Sequence, residues 1–166
     1  MSKPLVGIVM GSDSDLKIMQ DAVKILRSFD IESELVVASA HRTPHKALSY
    51  AETAEERGLE VLIAGAGAAA HLPGVLAAMT TLPVIGVPIN ATALQGLDAL
   101  YAIVQMPSGI PVATVAINGA KNAGILAAEI LAVKYPEIRQ KLKDYKVKMA
   151  EEVEVKSQRV QNAVIE

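Results

Sequence analysis

The chain has 166 residues, half of them hydrophobic but only 3% aromatic, with no Trp, no Cys and a net charge of −2. That length suits one domain spanning 1–166 and a sizeable core, which must be aliphatic and alanine-rich. The absence of cysteine rules out disulfides, thiolate nucleophiles and thiolate metal sites. The charge offers no basic face for nucleic acid, and no apolar run is long enough to cross a bilayer. Met1-Ser2-Lys3-Pro4 leads straight into a strand-like stretch without a secretory pattern, so the cytoplasm is the expected compartment. The apolar content exceeds what a small monomer needs, which points to surface buried between subunits.

Leu5 to Met10 reads as a buried strand, short, apolar and stopped by Gly11. Ser12 or Ser14 can cap the helix that follows, Asp15 suits its first turn, and Leu16, Met19, Val23, Leu26 and Phe29 recur at helical spacing. A second strand is predicted from about Glu34 to Ala38, then a helix from Thr43-Pro44 to a stop at Gly58. Glu60 to Ala64 reads as a third strand, Gly74 to Met79 as a helix, and Leu82 to Val87 as a fourth strand. Gly96 to Met106 reads as a helix, Pro111 to Ala116 as a fifth strand, and Asn118 can cap a helix through Val133. The alternation predicts a parallel sheet with helices on both faces, a core over about 5–133. Beyond it, over about 135–163, Ile138, Leu142, Tyr145, Met149 and Val153 fall on one stripe among many charges. That pattern fits a helix lying on its own domain, or one that reaches across a subunit boundary.

Three runs that follow strands carry candidate chemistry, because ligands of open parallel sheets sit beyond the carboxyl ends of the strands. In Gly11-Ser12-Asp13-Ser14-Asp15, glycine lets backbone approach a ligand, while serine hydroxyls and helix N–H groups suit phosphate oxygens. Asp15, itself an anion, suits a sugar hydroxyl better; taken alone, the run is equally an ordinary helix cap. His41-Arg42 pairs a guanidinium that can clamp phosphate at two points with an imidazole that can move a proton near neutral pH. A solvated loop with a capping histidine is the plainer account, but a basic pair facing the serine loop favours function. His41, His45 and His71 would together suit zinc. Pro44 separates the first two and no HExxH pattern accompanies them, so His45 reads as a surface residue and no metal is expected. Gly65-Ala66-Gly67-Ala68-Ala69-Ala70 has the form GxGxxA, yet the acidic residue expected about twenty positions on is replaced by Asn90, which argues against NAD. Small residues here let a substrate ring lie flat on backbone. The run from Gln105 to Pro111 reads as a rigid turn.

Together these runs resemble the 5-(carboxyamino)imidazole ribonucleotide mutases of purine biosynthesis. The likeness is carried by 10–15, 39–44, 64–67 with 69–74, 86–88, 103–107 and 109–116, and covers residue 5 to about 133. It implies a three-layer α/β/α sandwich with a parallel flavodoxin-like sheet, a homo-octamer, and neither metal nor organic cofactor. The implied reaction moves a carboxylate from the exocyclic nitrogen of a ribonucleotide to carbon 4 of its imidazole ring, through release and recapture of CO2. In the family's pattern the residue matching His41 is the acid/base, Ser12, Ser39 and Arg42 hold the phosphate, and Asp15 holds the ribose. Gly11, Ser14, Ala40, Gly65, Gly67, Ala68, His71 and Leu72 complete the implied substrate-binding set. The partner is thus a small ribonucleotide, not nucleic acid or membrane.

This chain departs from the family at Ala68, where glycine is usual, and at His45, where aspartate is common and which is expected outside the pocket. If position 68 requires φ > 0, alanine costs about 1–2 kcal/mol. With Gly65 and Gly67 keeping the loop narrow, Ala68 is expected to be tolerated. Two other functions fit the residues: a carboxylase using free CO2 in the same pocket, and a non-catalytic nucleotide- or flavin-binding module. An imidazole beside Arg42 argues against the latter, since binding alone needs no acid/base there.

Overall fold

The computed structural model describes residues 3–164. Met1 and Ser2, where the N-terminal reading begins, and Ile165 and Glu166, which close the predicted domain span, lie outside them. Strands β1 (Val6–Met10), β2 (Ser33–Val37), β3 (Val61–Gly67), β4 (Val84–Ile89) and β5 (Ala113–Thr114) form one sheet in the order β2-β1-β3-β4-β5. All four pairings are parallel, with Met10 level with Val37 on one side and Gly65 on the other. This is the flavodoxin-like order predicted above. The described residues also form six α-helices: α1 (Leu16–Ser28), α2 (Pro44–Glu52), α3 (Leu72–Met79), α4 (Leu97–Val104), α5 (Ala120–Leu131) and α6 (Pro136–Ala163).

Alternation along the buried strands divides the core into two layers. Val6, Ile8 and Met10 of β1 pack with Met19, Ala22 and Leu26 of α1, Ala123 and Ala127 of α5, and Ile138 and Leu142 of α6. Val9 and Leu62 face the opposite way, toward Ala47 and Tyr50 of α2, Leu76 of α3 and Ile103 of α4. The dearth of aromatic residues shows in how closely the backbones approach. A Cβ added at Gly124 of α5 would stand 3.0 Å from the carbonyl oxygen of Ala22 in α1.

Two polar clasps hold the amino-terminal edge of the sheet. Glu34, level with Gly7, accepts from the Tyr50 hydroxyl at 2.7 Å and from Arg57, whose guanidinium lies 4.5 Å over the Tyr50 ring. Burial first, then the Glu34 carboxylate, pushes the Tyr50 hydroxyl far above its ordinary range. Glu60, just before β3, accepts from Lys134 at 2.7 Å and Tyr135 at 2.6 Å. Burial raises the Glu60 carboxyl, but those two donors outweigh it and hold the group below its ordinary range.

The elements stand where the sequence places them, with shifted ends. β3 runs on through Gly67 rather than stopping at Ala64, and α3 begins at Leu72, two residues early, with Pro73 in its first turn. α2 stops at Glu52; separate turns then lead to Gly58, at φ +94°. β5 keeps only Ala113 and Thr114 of the predicted six residues, level with Ile85 and Gly86 of β4. Asn118 does not cap α5: it sits at φ +58° and its side chain accepts from the Asn90 backbone N–H at 2.9 Å. In α6 the first turns pack on the chain's own core, and Tyr145 meets Phe29 edge-to-face at 5.5 Å. Val147, Val153, Val160 and Val164 farther along are exposed. Among the described residues no helix is long and apolar enough to cross a membrane.

Candidate active site

The loops after β1, β2 and β3 converge over the carboxyl end of β1, which lies between the other two strands. α1 leaves to one face of the sheet and α2 and α3 to the other, so a crevice opens between them. It holds a cavity of about 220 Å³ lined by Gly11, Ser12, Ser14, Asp15, Ser39, Ala40, His41, Arg42, Ala66, Gly67, Ala68, Ala69, Leu72 and Ala91. A larger groove of about 690 Å³ lies under α6, lined by Phe29, Tyr145, Met149 and several lysines. The smaller cavity is the candidate site, because the predicted acid/base and the phosphate-binding groups meet only there.

Each side chain is held by its own loop. The Ser39 carbonyl accepts from the Thr43 N–H at 2.9 Å, and the Thr43 hydroxyl accepts from the Ser39 N–H at 2.9 Å, which closes the β2–α2 turn. The Ser39 hydroxyl accepts from the Arg42 N–H at 3.2 Å and lies 3.5 Å from its Nε. Arg42 Nη2 donates to the Gly11 carbonyl at 2.9 Å, tying the second loop to the first. The cation is thereby aimed before any ligand arrives, with guanidinium donors to spare. Ser39 is buried, so its hydroxyl braces Arg42 while keeping one O–H to donate.

In the first loop a single 3₁₀ turn, Asp13–Asp15, precedes α1. The Ser12 hydroxyl accepts from the Ser14 N–H at 3.4 Å and from the Ser14 hydroxyl at 3.0 Å, so Ser12 caps this turn, while α1 itself starts from Asp15 and neither serine caps it. Asp15 is buried, and that burial pushes its carboxyl above the ordinary range. The Ser12 backbone, the Ser14 hydroxyl and the charge of Arg42 oppose the shift without cancelling it, and Asp13 adds to it.

His41 and His71, thirty residues apart, come together: His41 Nε2 lies 2.8 Å from His71 Nδ1, with the rings 4.9 Å apart at 77°. His45 stays in the exposed first turn of α2, outside the cavity as expected. Among the described residues no group of three or more His, Cys, Asp or Glu is placed to hold a metal ion.

Two residues of the implied substrate-binding set are not among those that line the cavity. Gly65 does not line the cavity; its Cα faces Met19, whose sulfur a Cβ would strike, so this glycine serves packing. His71 stands behind His41 rather than in the wall. Three lining residues went unassigned: Ala66, Ala69 and Ala91. The first two lie in the glycine-alanine run already singled out. Ala91 follows β4, and the rule that brought three strand ends to this edge also brings the fourth. A Cβ at Gly67 would stand 2.7 Å from that of Ala91, so glycine is what lets the β4 loop close in. Ala68 lies at φ +52°, in the left-handed region, so the condition under which alanine carries a backbone cost is met.

Comparison with known proteins bears on the family and the fold. The family model described as AIR carboxylase matches residues 5–152. The N5-carboxyaminoimidazole ribonucleotide mutase of Thermotoga maritima is 62% identical, over 95% of this chain and 92% of that protein. The protein of the same name from Pyrococcus abyssi is 66% identical, over 88% and 84%. The crystal structure of Treponema denticola PurE superposes with a TM-score of 0.84 at 31% identity, covering 94% of this chain and 98% of that one.

Two stability measurements follow. Ala68→Gly should relieve about 1–2 kcal/mol of left-handed strain against the ~0.4–1 kcal/mol that glycine costs through the unfolded chain. The expected net effect is a rise in melting temperature of about 2–4 °C per kcal/mol gained; a fall in calorimetry would mean the loop is unstrained. For Asp15, a raised carboxyl means that the folded state holds the proton more tightly than the unfolded state. Its contribution is therefore favourable at low pH and is lost as pH rises through the raised value. Asp15→Asn should melt above the parent at pH 7, with the gap closing as pH falls into the ordinary carboxylate range.

Proposed function

The chain belongs to the AIR carboxylase family, and from that premise we infer that it is the mutase of purine biosynthesis that moves a carboxylate within one ribonucleotide. It is an isomerase: it converts 5-carboxyamino-1-(5-phosphoribosyl)imidazole to 5-amino-1-(5-phosphoribosyl)imidazole-4-carboxylate. The observation that carries the assignment of parts is the meeting of His41, Arg42, Ser12 and Asp15 around one small cavity at the sheet's switch point.

In the first half-reaction a proton goes to the exocyclic nitrogen as its bond to the carboxylate carbon breaks. The electron pair stays on nitrogen, and CO2 and the neutral aminoimidazole result. In the second, ring carbon 4 attacks CO2, and the proton on that carbon leaves as its bonding pair restores the aromatic ring. His41 is the group that gives the first proton and takes the last, so no net acid or base is consumed. Arg42 and the Ser12 and Ser39 hydroxyls take the phosphate, and Asp15 takes the ribose. The low wall of Gly67, Ala68 and Ala69 leaves room for the flat ring to lie close to backbone. Holding CO2 beside the ring makes recapture effectively unimolecular.

The chain forms a homo-octamer in this reading. Leu94, Leu97, Tyr101 and Val104 expose an apolar patch on and before α4, and Met149, Val153 and Val160 expose another on α6. Octameric assembly is what the family resemblance implies, and these patches are surfaces it would cover.

The reaction is tested with purified protein and the carbamate substrate in bicarbonate-free buffer. Conversion identifies the mutase; a requirement for added CO2 would identify the free-CO2 carboxylase instead. His41→Asn should remain folded and bind ribonucleotide while turnover falls at least ~10²-fold; near-normal turnover would remove His41 from its role. Light scattering should give a mass near eight subunits. Deletion from Lys148 onward should reduce assembly while sparing Ile138 and Leu142, which belong to the core. A stable monomer of the full chain at micromolar concentration would overturn the octamer.

A further inference from the structure

We propose that His71 is the positioning residue of the acid/base: it holds the Nε2 edge of the His41 imidazole, so that Nδ1 is the nitrogen offered to the substrate. This rests on the reading of His41 given above. Both rings are exposed, and an exposed histidine on a loop samples several rotamers unless something holds it. The 2.8 Å approach of His41 Nε2 to His71 Nδ1 is a full hydrogen bond, and the edge-to-face packing of the rings adds a second constraint.

His71 is well placed to give that support. Its N–H donates to the Ala69 carbonyl at 2.9 Å, and its carbonyl accepts from the Val75 N–H at 3.0 Å as α3 begins. Leu72 and Pro73 behind it are buried, so the backbone that carries the ring is fixed to the core. The two histidines come from loops of strands that are not neighbours. Their contact and the Arg42–Gly11 hydrogen bond are therefore two separate ties across the end of β1.

Proton counting gives the pair its use. Between two imidazole nitrogens at this distance there is room for one proton, so one ring donates and the other accepts. When His41 is protonated on both nitrogens, its Nε2–H must donate and His71 Nδ1 must accept. When His41 has given its Nδ1 proton to the departing nitrogen of the substrate, the same Nε2–H still donates to the same acceptor. His71, protonated on its own Nε2, thus fits both states of His41, and nothing has to turn between the two half-reactions. The bare Nδ1 left behind is then the nitrogen free to take the proton from ring carbon 4. A carboxylate in the place of His71 would also orient the ring, but its charge would hold the proton on His41 and oppose its delivery.

Two variants test this beside His41→Asn. His71→Leu removes the acceptor, and His71→Asn returns an oxygen to the position of Nδ1. The expected result for His71→Leu is a fall in kcat of about 10²-fold, the scale of a misaligned reacting group, with KM changed less than about threefold. His71→Asn should recover most of that loss. A raised KM with kcat retained would make His71 a substrate contact and overturn the proposal, and so would equal loss in both variants or no loss in either. If His41→Asn keeps its turnover, the acid/base reading itself falls; if His41→Asn is inactive while His71→Leu is normal, only the positioning role does.

Discussion

The site depends on one constraint of topology: β1 is the strand at which the chain changes direction across the sheet. From β1 the chain passes over one face to β2, then crosses back over the other face to reach β3 on the far side of β1. Two helices starting from neighbouring positions therefore diverge, and no side chain from the core fills the gap above Met10 and Gly11. Every group of the candidate site is placed by that divergence. Strand direction does the rest, since parallel strands release all their loops at the same edge. The loops come close enough for single side chains to bridge them: Arg42 reaches the Gly11 carbonyl and His41 reaches His71.

The two edges of the sheet are built for different purposes. At the amino-terminal edge, Glu34 and Glu60 each sit among donors that satisfy them, and their neighbours are locked. At the carboxyl-terminal edge the folded state tolerates unfavourable features: a carboxyl at Asp15 held where burial disfavours its charge, and an alanine at 68 in a left-handed backbone. Both face the cavity. Features that cost the empty protein stability collect where a ligand, not the fold, sets the choice of residue.

The sequence made the architecture legible because it depends on alternation, which single residues cannot disturb. Leu5 to Met10 and Leu82 to Val87 are apolar throughout, as strands covered on both faces must be, and each is followed by a helical pattern. Ends were less legible. β3 extends through Gly67 because β4 pairs with it up to that residue, which no local signal announces. β5 fades because a strand's length depends on its partner as well as on its own residues. In the site, the residues with chemistry stood out by type and position, whereas the alanines of the wall did not. Gly65 and Gly67 look alike in sequence, yet the first makes room for the sulfur of Met19 and the second for the β4 loop. Two apart in one strand, they face the same side, so their difference comes from what stands opposite each, and a glycine has no side chain to show it. The partnership of His41 with His71 was hidden for another reason: it joins loops of non-adjacent strands, and neither histidine carries a mark of the other.

The close crossing of α1 and α5 at Gly124 has a consequence for how the chain is made. The apolar face of α1 is covered by a helix that begins about a hundred positions later. At synthesis rates of roughly 5–20 residues per second, Ala22, Ile25 and Leu26 wait on the order of 5–20 s after leaving the ribosome before Gly124 can reach them. β1 likewise waits for β3 before it is paired on both sides. The nascent chain thus carries its first hydrophobic surfaces uncovered through most of its own translation. In that interval the apolar face of α1 is open to other hydrophobic surfaces, its own partner helix not yet being made.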